Sequence, residues 1–295
     1  MKKFLHSWHC LALGAVLLWA WSYVYTKVAL EHFSPIPLGL LRCAIATAAL
    51  LGIFFYKGGL AFPPLKAWPR FILSGATGFS LYLILFNSGS GLLTATTSCV
   101  IISTTPLLTA LWGTRIFGEK MAPAAWLAMM MEFAGILILT LWNGVLAINH
   151  GVFWMLGAAL ATSIYNITQR AYAKDHTPLE ITTFSFCMAT AMLLFWLPEA
   201  AGEVVTASFK QIMVVMSLGL GPSAAAYFLW SKALASAGQV GAAANYMFLT
   251  PLFSLMLGYL VIAELPDAGT IIGGLMIMTG LVFFNRVGRL SVKEK

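Results

Sequence analysis

The sequence predicts an all-α membrane protein with ten transmembrane helices arranged as two inverted five-helix repeats. Three observations support this fold class: the composition, the length of the apolar segments and the one-sided distribution of basic residues. Of the 295 residues, 60% are hydrophobic and 9% are charged, whereas a soluble domain has about 45–50% apolar and about 25% charged residues. The composition excludes an ordinary soluble globule, and the long uniform segments exclude the short alternating strands of a membrane barrel.

Ten apolar segments account for most of the chain. A helix of about 20 residues spans about 30 Å, the thickness of the hydrocarbon core, and the segments approach or reach that length. The first continues from the basic N-terminus to about Leu30, longer than the core of a cleaved signal peptide, so it predicts a retained helix. The segments cover about 9–30, 36–56, 69–89, 93–117, 122–142, 151–171, 180–198, 210–232, 240–262 and 268–286.

The basic residues give the orientation. Cytoplasmic loops carry the excess of Lys and Arg in membrane proteins. If the N-terminus is cytoplasmic, 14 of the 17 basic residues lie inside, Lys27 and Lys210 lie outside, and Arg42 is within a helix. Removing one helix would reverse every later loop, so the asymmetry supports ten spans. The net charge of +7 is therefore interpreted as loop asymmetry and not as nucleic-acid binding. We expect a bacterial cytoplasmic (inner) membrane protein with both termini cytoplasmic.

The two halves of the chain match at fixed offsets. The aligned pairs are Pro35 with Pro178 and Lys27 with Arg170 at 143 residues, and Tyr82 with Tyr227, Thr105-Pro106-Leu107 with Thr250-Pro251-Leu252, Glu119 with Glu264 and Gly135 with Gly280 at 145 residues. We therefore predict repeats at 1–142 and 151–286, followed by a cytoplasmic tail at 287–295. Five helices is an odd number, so the second repeat would enter from the opposite face, as in many secondary transporters. The alternative is an old duplication retained only for packing.

Four segments of the chain resemble segments of a known family. They are 17–43 and 104–123 in the first half, and 249–267 and 273–284 in the second. With them the chain resembles the bacterial drug/metabolite transporters with paired EamA domains, over nearly its whole length. The resemblance implies that helices 1, 3, 4, 6, 8 and 9 surround a central cavity while 5 and 10 are peripheral. It also implies no ATP and no redox cofactor, and it extends to aromatic amino acid and metabolite exporters.

Polar and aromatic side chains form a stripe on the first helix and on its repeat counterpart. Trp19, Ser22 and Tyr23 share one helical face, and their counterparts 143 residues later include Tyr165 and Asn166. Unsatisfied amides in hydrocarbon are costly, so the stripe favours a wet cavity, with helix–helix hydrogen bonding as the alternative. The predicted substrate-binding residues are Trp19, Ser22, Tyr23, Tyr82, Phe86, Asn87, Tyr165, Asn166, Gln169, Tyr227, Trp230, Asn245 and Tyr246. Aromatic walls with a few amides suit an amphipathic ligand or a cation, although some aromatics belong at the lipid interface.

Two charges lie deep in predicted helices, where ionisable residues are rare and functional. Glu132 is near the centre of helix 5, and its repeat counterpart is Ile277, so the charge is not part of the repeated scaffold. It is interpreted either as a proton site or as the partner of another helix or protomer. Arg42 in helix 2 is interpreted either as a ligand for a substrate carboxylate or as an ion-pair partner of Glu31.

Four further residues are candidates for gating. Lys27 and Arg170 are repeat counterparts near helix ends, where they either reach the two interfaces or act in a gate. Pro106 and Pro251 occur at equivalent depth in helices 4 and 9. Each removes a backbone hydrogen bond and permits a kink, so they are candidate hinges, with static packing as the alternative.

The leading hypothesis is a secondary transporter that exports a small amphipathic metabolite, such as an amino acid, by alternating access. Uptake or facilitated diffusion of an organic cation is the alternative within this fold. A membrane-embedded enzyme acting on lipid or prenyl substrates would need clustered Asp, His or Ser, which the sequence lacks, and an assembly factor is a third class. The histidines lie near the ends of the apolar segments, and neither metal nor cofactor is expected. The expected partners are a small molecule and the bilayer, with the protein a monomer or weak homodimer.

Overall fold

The computed structural model describes residues 7–58, 63–93, 95–142, 150–262 and 268–293, and these residues form helices without any strand. Ten helical stretches follow the ten predicted segments. Six of the described stretches are long and apolar enough to cross a membrane, and Pro123–Ile138 and Ile271–Arg286 are shorter apolar helices. The chain is therefore a multi-pass membrane protein, while the count of ten spans stays a prediction.

Three of the stretches are interrupted. A turn at 103–104 divides the fourth stretch, a 3-10 segment at Asn245–Leu249 divides the ninth, and the seventh contains a short 3-10 turn. The helices are α1 Trp8–Ala29, α2 Pro35–Tyr56, α3 Leu65–Leu92, α4a Ala95–Ile102, α4b Thr105–Ile116, α5 Pro123–Leu141, α6 Gly151–Tyr172, α7 Pro178–Thr206, α8 Phe209–Ser236, α9a Val240–Ala244, α9b Thr250–Ile262 and α10 Ala268–Lys293.

Local sequence explains where several helices begin. Thr177 and Ser208 cap α7 and α8, and in each case the side chain three residues later, Glu180 or Gln211, completes the reciprocal capping box. Proline occupies the first turn of α2, α5 and α7, where its missing N–H leaves no intrahelical bond unmade.

Two helix ends differ from the predicted bounds. Helix α7 extends to Thr206, eight residues past the predicted end at 198, because a second α-helical segment, Leu197–Thr206, follows the 3-10 turn and carries polar residues. One of them, Glu203, accepts the Ser34 N–H at 3.1 Å and so ties this extension to the start of α2. Helix α10 continues to Lys293, into the predicted tail at 287–295. Residues 1–6, Glu264 and 294–295 lie outside the described residues.

Helices α3 and α8 each contain a π-helical turn at matching positions. The turns are Ala76–Ser80 and Gly219–Ala225, and their first residues are 143 positions apart. The second turn includes Pro222, which has no N–H to give to the helix. Because a π turn changes the hydrogen-bonding register, it leaves backbone carbonyls available to other groups, and such turns are frequent at functional sites.

Two close helix contacts are related by the repeat. In one, a glycine of the first half packs on a helix of the second half, and in the other, a glycine of the second half packs on a helix of the first. Gly75 of α3 packs on α7, where an added Cβ would lie 3.1 Å from the Cβ of Met188. Gly219 of α8 packs on α2, where an added Cβ would lie 2.6 Å from the Cβ of Ile45. The two glycines are 144 positions apart and their partners 143, so the sequence repeat is also a repeat of three-dimensional contacts.

Helices α5 and α10 form the most extensive pair, and their contact is reciprocal. An added Cβ at Gly135 would lie 2.8 Å from the carbonyl oxygen of Gly273, and one at Gly280 would lie 3.1 Å from that of Ala128. Both relations use the 145-residue offset. Ala128 of α5 lies against Gly280 of α10, and Gly135 lies against Gly273. Residue numbers increase along one helix where they decrease along the other, so the two helices are antiparallel.

Helices α2 and α7 are also antiparallel partners. The hydroxyls of Thr47 and Thr190, which are 143 positions apart, are hydrogen-bonded at 2.8 Å. Farther along, the rings of Phe54 and Phe184 are in contact, with centroids 5.4 Å apart. Around these two pairs, α1 packs on α8 and α9b, while α6 packs on α3 and α4b. The central space is therefore bounded by helices from both halves.

Candidate functional site

A narrow cavity lies between the two halves. Its volume is about 30 Å³, far below the roughly 300–1,000 Å³ of pockets that enclose a small-molecule ligand. In this conformation the cavity is therefore too small for an amino acid. The lining residues are Trp19, Ser22, Tyr23, Arg42, Tyr82, Phe86, Ile102, Ser103, Thr162, Tyr227, Met247 and Thr250.

Among the described residues that line the cavity, Arg42 is the only one with a full charge, and its guanidinium is held by three hydroxyl groups. The side chain is 2% exposed. Its Nε donates to Ser223 at 3.3 Å, one terminal nitrogen donates to Thr26 at 3.2 Å, and the other donates to Ser22 at 3.2 Å. In the described part of the chain Arg42 has no ion pair, and the alternative pairing with Glu31 is not formed there because Glu31 is exposed in the loop after α1.

The donor geometry of Arg42 leaves capacity for a ligand. A guanidinium has five N–H donors in a planar fork, and neutral hydroxyls occupy three of them. Burial thus removes the guanidinium from water, and no anionic group of the described residues compensates for the lost hydration. A charge buried in this way is costly unless it is paired. The arrangement fits a transient anion, such as a carboxylate, entering the cavity.

Aromatic rings form another part of the wall. Trp19 meets Tyr227 edge-on at 5.1 Å, and Tyr82 stacks on Phe86 at 5.5 Å. The Trp19 indole N–H donates to the carbonyl of Pro222 at 3.1 Å, which lies in the π turn of α8. Because the same turn carries Ser223, one of the three hydroxyls that hold Arg42, it orients both the aromatic wall and the cation.

A polar cluster, formed by Asn166 and Gln169 with their partners, lies beside the cavity and not in its wall. The Asn166 amide accepts from the Trp230 indole N–H at 2.8 Å and donates to Thr109 at 3.2 Å. The Gln169 amide donates to Ser74 at 2.7 Å and accepts from Ser231 at 2.9 Å. Both amides therefore join α6 to helices of both halves.

The structure brings together about half of the predicted substrate-binding residues. Trp19, Ser22, Tyr23, Tyr82, Phe86 and Tyr227 line the cavity, and Asn87, Tyr165, Asn166, Gln169, Trp230, Asn245 and Tyr246 do not. The outlying amides bond to protein groups: Asn87, for example, donates to the carbonyl of Pro35 at 2.8 Å. The hydroxyl of Tyr246 bonds to a ring nitrogen of His9 at 2.5 Å.

The candidate gating residues occupy different environments. Lys27 is exposed at the end of α1, whereas Arg170 donates to the carbonyls of Leu234 and Gly238 at 3.0 and 2.9 Å. Leu234 lies in the last turn of α8, where the helix itself leaves carbonyls unsatisfied, and Gly238 follows the end of the helix. Arg170 therefore closes the end of α8 against α6.

Pro106 and Pro251 do not lie in helix interiors. Each occupies the first turn of a new helix, α4b or α9b, where its missing N–H costs little. The interruption precedes the proline in both repeats. It is a two-residue turn at 103–104 in the first repeat and the 3-10 segment at Asn245–Leu249 in the second.

Five wall residues were outside the predicted set: Ile102, Ser103, Thr162, Met247 and Thr250. Thr250 is the first residue of the second Thr-Pro-Leu motif, Ser103 lies two residues before the first motif, and Thr162 is the repeat counterpart of Trp19, so the offset itself was a usable signal. Met247 had none, since the 3-10 segment determines where its side chain points.

A second cleft of about 510 Å³ lies at the ends of α4b, α6 and α8. Glu119, Arg170 and Lys174 are among its lining residues. One oxygen of Glu119 accepts the Val240 N–H at 2.8 Å, so the carboxylate caps the start of α9a. Burial raises the pKa of Glu119, and backbone hydrogen bonds, with Val240 first, oppose the change.

Comparisons with known proteins agree with this architecture. The model of the EamA-like transporter family matches residues 6–141 and, a second time, residues 149–286. An uncharacterized transporter of Bacillus subtilis, YdfC, is 29% identical over 93% of this chain and 89% of its own. A probable terminal-alkyne amino-acid exporter of Streptantibioticus cattleyicolor is 26% identical over 92% of this chain and 91% of its own. A solved crystal structure with 21% identity shares the fold, with a TM-score of 0.76 over 95% of this chain and 96% of that one.

Proposed function

Because the chain belongs to the EamA-like transporter family, we propose that it is a secondary transporter that exports a small amphipathic carboxylate, with an amino acid as the leading candidate. The observation that carries the substrate class is Arg42, buried at the wall of a cavity between the halves and without an anionic partner among the described residues. Two free N–H donors can hold a carboxylate in bidentate fashion. The rings of Trp19, Tyr82 and Tyr227 can cover the apolar part of such a molecule. A relative named as a probable amino-acid exporter supports the same class.

The proposed mechanism is alternating access between two inverted repeats. The reciprocal contacts of α2 with α7 and of α5 with α10 are antiparallel, as expected when one unit is inserted upside down relative to the other. Two matched units can rock about a central site and open it to one face at a time. Since the cavity is too small for an amino acid here, rocking must also widen it. The turn between α4a and α4b and the 3-10 segment between α9a and α9b, which lie ahead of Pro106 and Pro251, are the proposed hinges.

Electrostatics decides between the two candidate substrates. A buried guanidinium repels a cation at close range, because the effective dielectric constant inside a protein is far below that of water. Uptake of an organic cation therefore remains the weaker alternative. The family and the named relatives are transporters, which points away from the enzyme hypothesis. A monomer or weak homodimer is the proposed assembly.

The first prediction concerns ligand class. Purified protein is heated with single amino acids, with the amines formed by their decarboxylation, and with the corresponding acids that lack the amino group. Ligands that bind the native state raise its stability by mass action, by about 2.7 kcal/mol at 100 times the Kd. We expect amino acids and acids to raise the Tm and the amines to leave it unchanged. The ligand that raises the Tm most is then used as the substrate in counterflow measurements with proteoliposomes.

Stabilisation by the amines alone would replace the carboxylate proposal with the organic-cation alternative. An absence of counterflow with every stabilising ligand would remove the transport proposal itself.

We propose that the protein lies in the inner membrane of a bacterial cell and that both of its termini are cytoplasmic. Cysteine accessibility tests this topology. In a background without the four native cysteines, single cysteines replace Lys27, Lys57, Lys174 and Lys210, all of which are exposed. We expect an impermeant thiol reagent to label positions 27 and 210 in intact spheroplasts, and positions 57 and 174 only after lysis. Labelling of 27 and 174 from the same side would contradict the inverted arrangement.

A further inference from the structure

Glu132 and Asn245 form a buried carboxyl–amide pair at the junction of α5 and the 3-10 segment. Both side chains are 0% exposed. The Asn245 amide nitrogen donates to one carboxyl oxygen of Glu132 at 3.0 Å. The second carboxyl oxygen of Glu132 and the amide oxygen of Asn245 have no hydrogen-bond partner among the described residues. Two acceptor atoms of one pair are thus left without a donor.

One added proton satisfies both atoms. A protonated carboxyl group has one O–H donor, and a primary amide has both an N–H donor and a carbonyl acceptor. An O–H on Glu132 can donate to the amide oxygen of Asn245 while the existing N–H bond remains, which gives a closed pair with two hydrogen bonds. An ionised Glu132 would instead bury a charge with a single neutral donor, which is unfavourable. The pair therefore matches the protonated acid.

Packing does not require an acid at this position. Gly280 lies against the Cγ of Glu132, and in the reciprocal contact Gly135 lies against the side chain of Ile277. Glu132 and Ile277 are repeat counterparts at the 145-residue offset. The same niche between α5 and α10 therefore accepts an aliphatic side chain in one repeat and a carboxyl group in the other. The acid is present for a reason other than packing.

The pair is connected to the cavity through the 3-10 segment. Asn245 is the first residue of this segment, and Met247, two residues later, lines the cavity. The sulfur of Met247 also lies 4.0 Å from the amide nitrogen of Asn166 in the polar cluster. When Glu132 loses its proton, it needs further donors, and the adjacent 3-10 segment is the element able to rearrange. Such a change moves the Met247 wall of the substrate site.

We propose that Glu132 is the proton-binding site of the transporter and that Asn245 couples its protonation to the substrate cavity through the 3-10 segment. The inference rests on the proposed transport function. A proton leaves water on the outer side and forms the O–H bond of Glu132, and in the opposite conformation that bond breaks and the proton enters cytoplasmic water. Substrate binding favours the ionised state, so proton entry drives substrate export. No bond to the substrate is made or broken.

Few titratable groups of the described residues lie on the elements that pack against Glu132. The 3-10 segment carries Tyr246, whose hydroxyl bonds to His9 of α1. Helix α4a has no Asp, Glu, His, Lys or Arg in its sequence. On α10 the facing positions Gly273, Ile277 and Gly280 are not titratable, and the first basic residue, Arg286, is exposed about 9 Å farther along the helix. Glu132 is thus the acid expected to respond to pH at this junction.

The test compares wild type with Glu132→Gln and with Glu199→Gln, an exposed acid on α7 that serves as the matched control. Glutamine keeps both hydrogen bonds to Asn245 but cannot release a proton. Because the pair favours the protonated acid, stability is expected to fall as the pH rises above about 4.3, the ordinary pKa of a glutamic acid. Without substrate, we therefore expect the Tm of wild type and of the control to fall more with rising pH than the Tm of Glu132→Gln. In proteoliposomes holding the amino acid that most raises the Tm, Glu132→Gln should retain counterflow and lose accumulation driven by a pH gradient.

The outcomes separate this inference from the transport proposal. Counterflow by wild type without any response to a pH gradient overturns the proton site and leaves transport intact, whereas no wild-type counterflow removes transport itself. Gradient-driven accumulation by Glu132→Gln, or an unchanged pH dependence of its Tm, also overturns the proton site. If the variant does not fold, infrared spectroscopy of wild type decides. The carbonyl band of a protonated carboxyl group is expected at neutral pH and should weaken when the amino acid is added, and its absence refutes the proposal.

Discussion

Replacing Arg42 by glutamine is expected to abolish carboxylate-dependent binding while the protein still folds. The side-chain amide of glutamine can donate to the hydroxyls around it, such as Ser22 and Ser223, but it cannot pair with a carboxylate in bidentate fashion. Removing one partner of a buried charged pair costs about 2–5 kcal/mol, which corresponds to a loss of affinity between about 30-fold and several thousand-fold. Counterflow and thermal shift with the best amino acid measure the loss.

A surface arginine provides the matched control for this experiment. Arg70 pairs with Asp175 at 2.5 Å, and both side chains are about half exposed. Exposed pairs contribute about 0–1 kcal/mol, so Arg70→Gln should leave binding of the amino acid unchanged. Arg42→Lys is informative as well, because lysine keeps the charge but lacks the planar fork, and we expect partial binding. Wild-type affinity in Arg42→Gln would show that the guanidinium does not contact the substrate.

Replacing Gly75 by valine is expected to cause the largest loss of stability among the substitutions considered. An added Cβ would lie 2.5 Å from the carbonyl oxygen of Ser185 and 3.1 Å from the backbone nitrogen of Ala189. A flexible side chain can relieve a clash by changing its rotamer, but backbone atoms cannot. Helices α3 and α7 must therefore separate. Overpacking costs about 1–3 kcal/mol and occasionally more, and a backbone clash belongs at the upper end. We expect the Tm to fall by roughly 5–10 °C.

Gly219→Val is the equivalent variant in the second repeat, and Gly202→Ala is the control. Gly219→Val should lower the Tm by a similar amount, since an added Cβ there would lie 2.6 Å from the Cβ of Ile45. Gly202→Ala in the exposed part of α7 meets nothing within 4 Å and should gain about 0.5–1 kcal/mol, because alanine is the better helix former. A Tm for Gly75→Val at or above that of Gly202→Ala would contradict the close packing of α3 on α7.

Side-chain spacing along one helix explains which parts of the site were predictable. Trp19, Ser22 and Tyr23 share one face of α1 by helical periodicity alone, and that face lines the cavity. Their repeat counterparts on α6 carry the same kind of stripe, yet Tyr165 and Asn166 lie outside the wall. A helical stripe specifies a face, and the neighbours of that face depend on how the helices pack.

The amides show most clearly what sequence cannot supply. Asn166 and Gln169 were predicted substrate ligands because amides in hydrocarbon need partners, and this physical premise holds. Their partners in this conformation are protein groups on α3, α4b and α8, such as Trp230 for Asn166. A hydrogen bond needs its two atoms about 3 Å apart, and no periodicity determines the distance between side chains of separate helices.

By itself, the amino-acid sequence determined the helical class, the places where most helices begin and end, the twofold repeat, and the deep charges Arg42 and Glu132. Those features depend on local properties: hydropathy over about 20 residues, capping side chains, and identities at a fixed offset. The tertiary structure alone decided that three hydroxyls hold Arg42 in place of Glu31, and that Glu132 meets Asn245. It did so because π turns and 3-10 segments rotate side chains out of helical register, so partners between helices are chosen by packing in three dimensions.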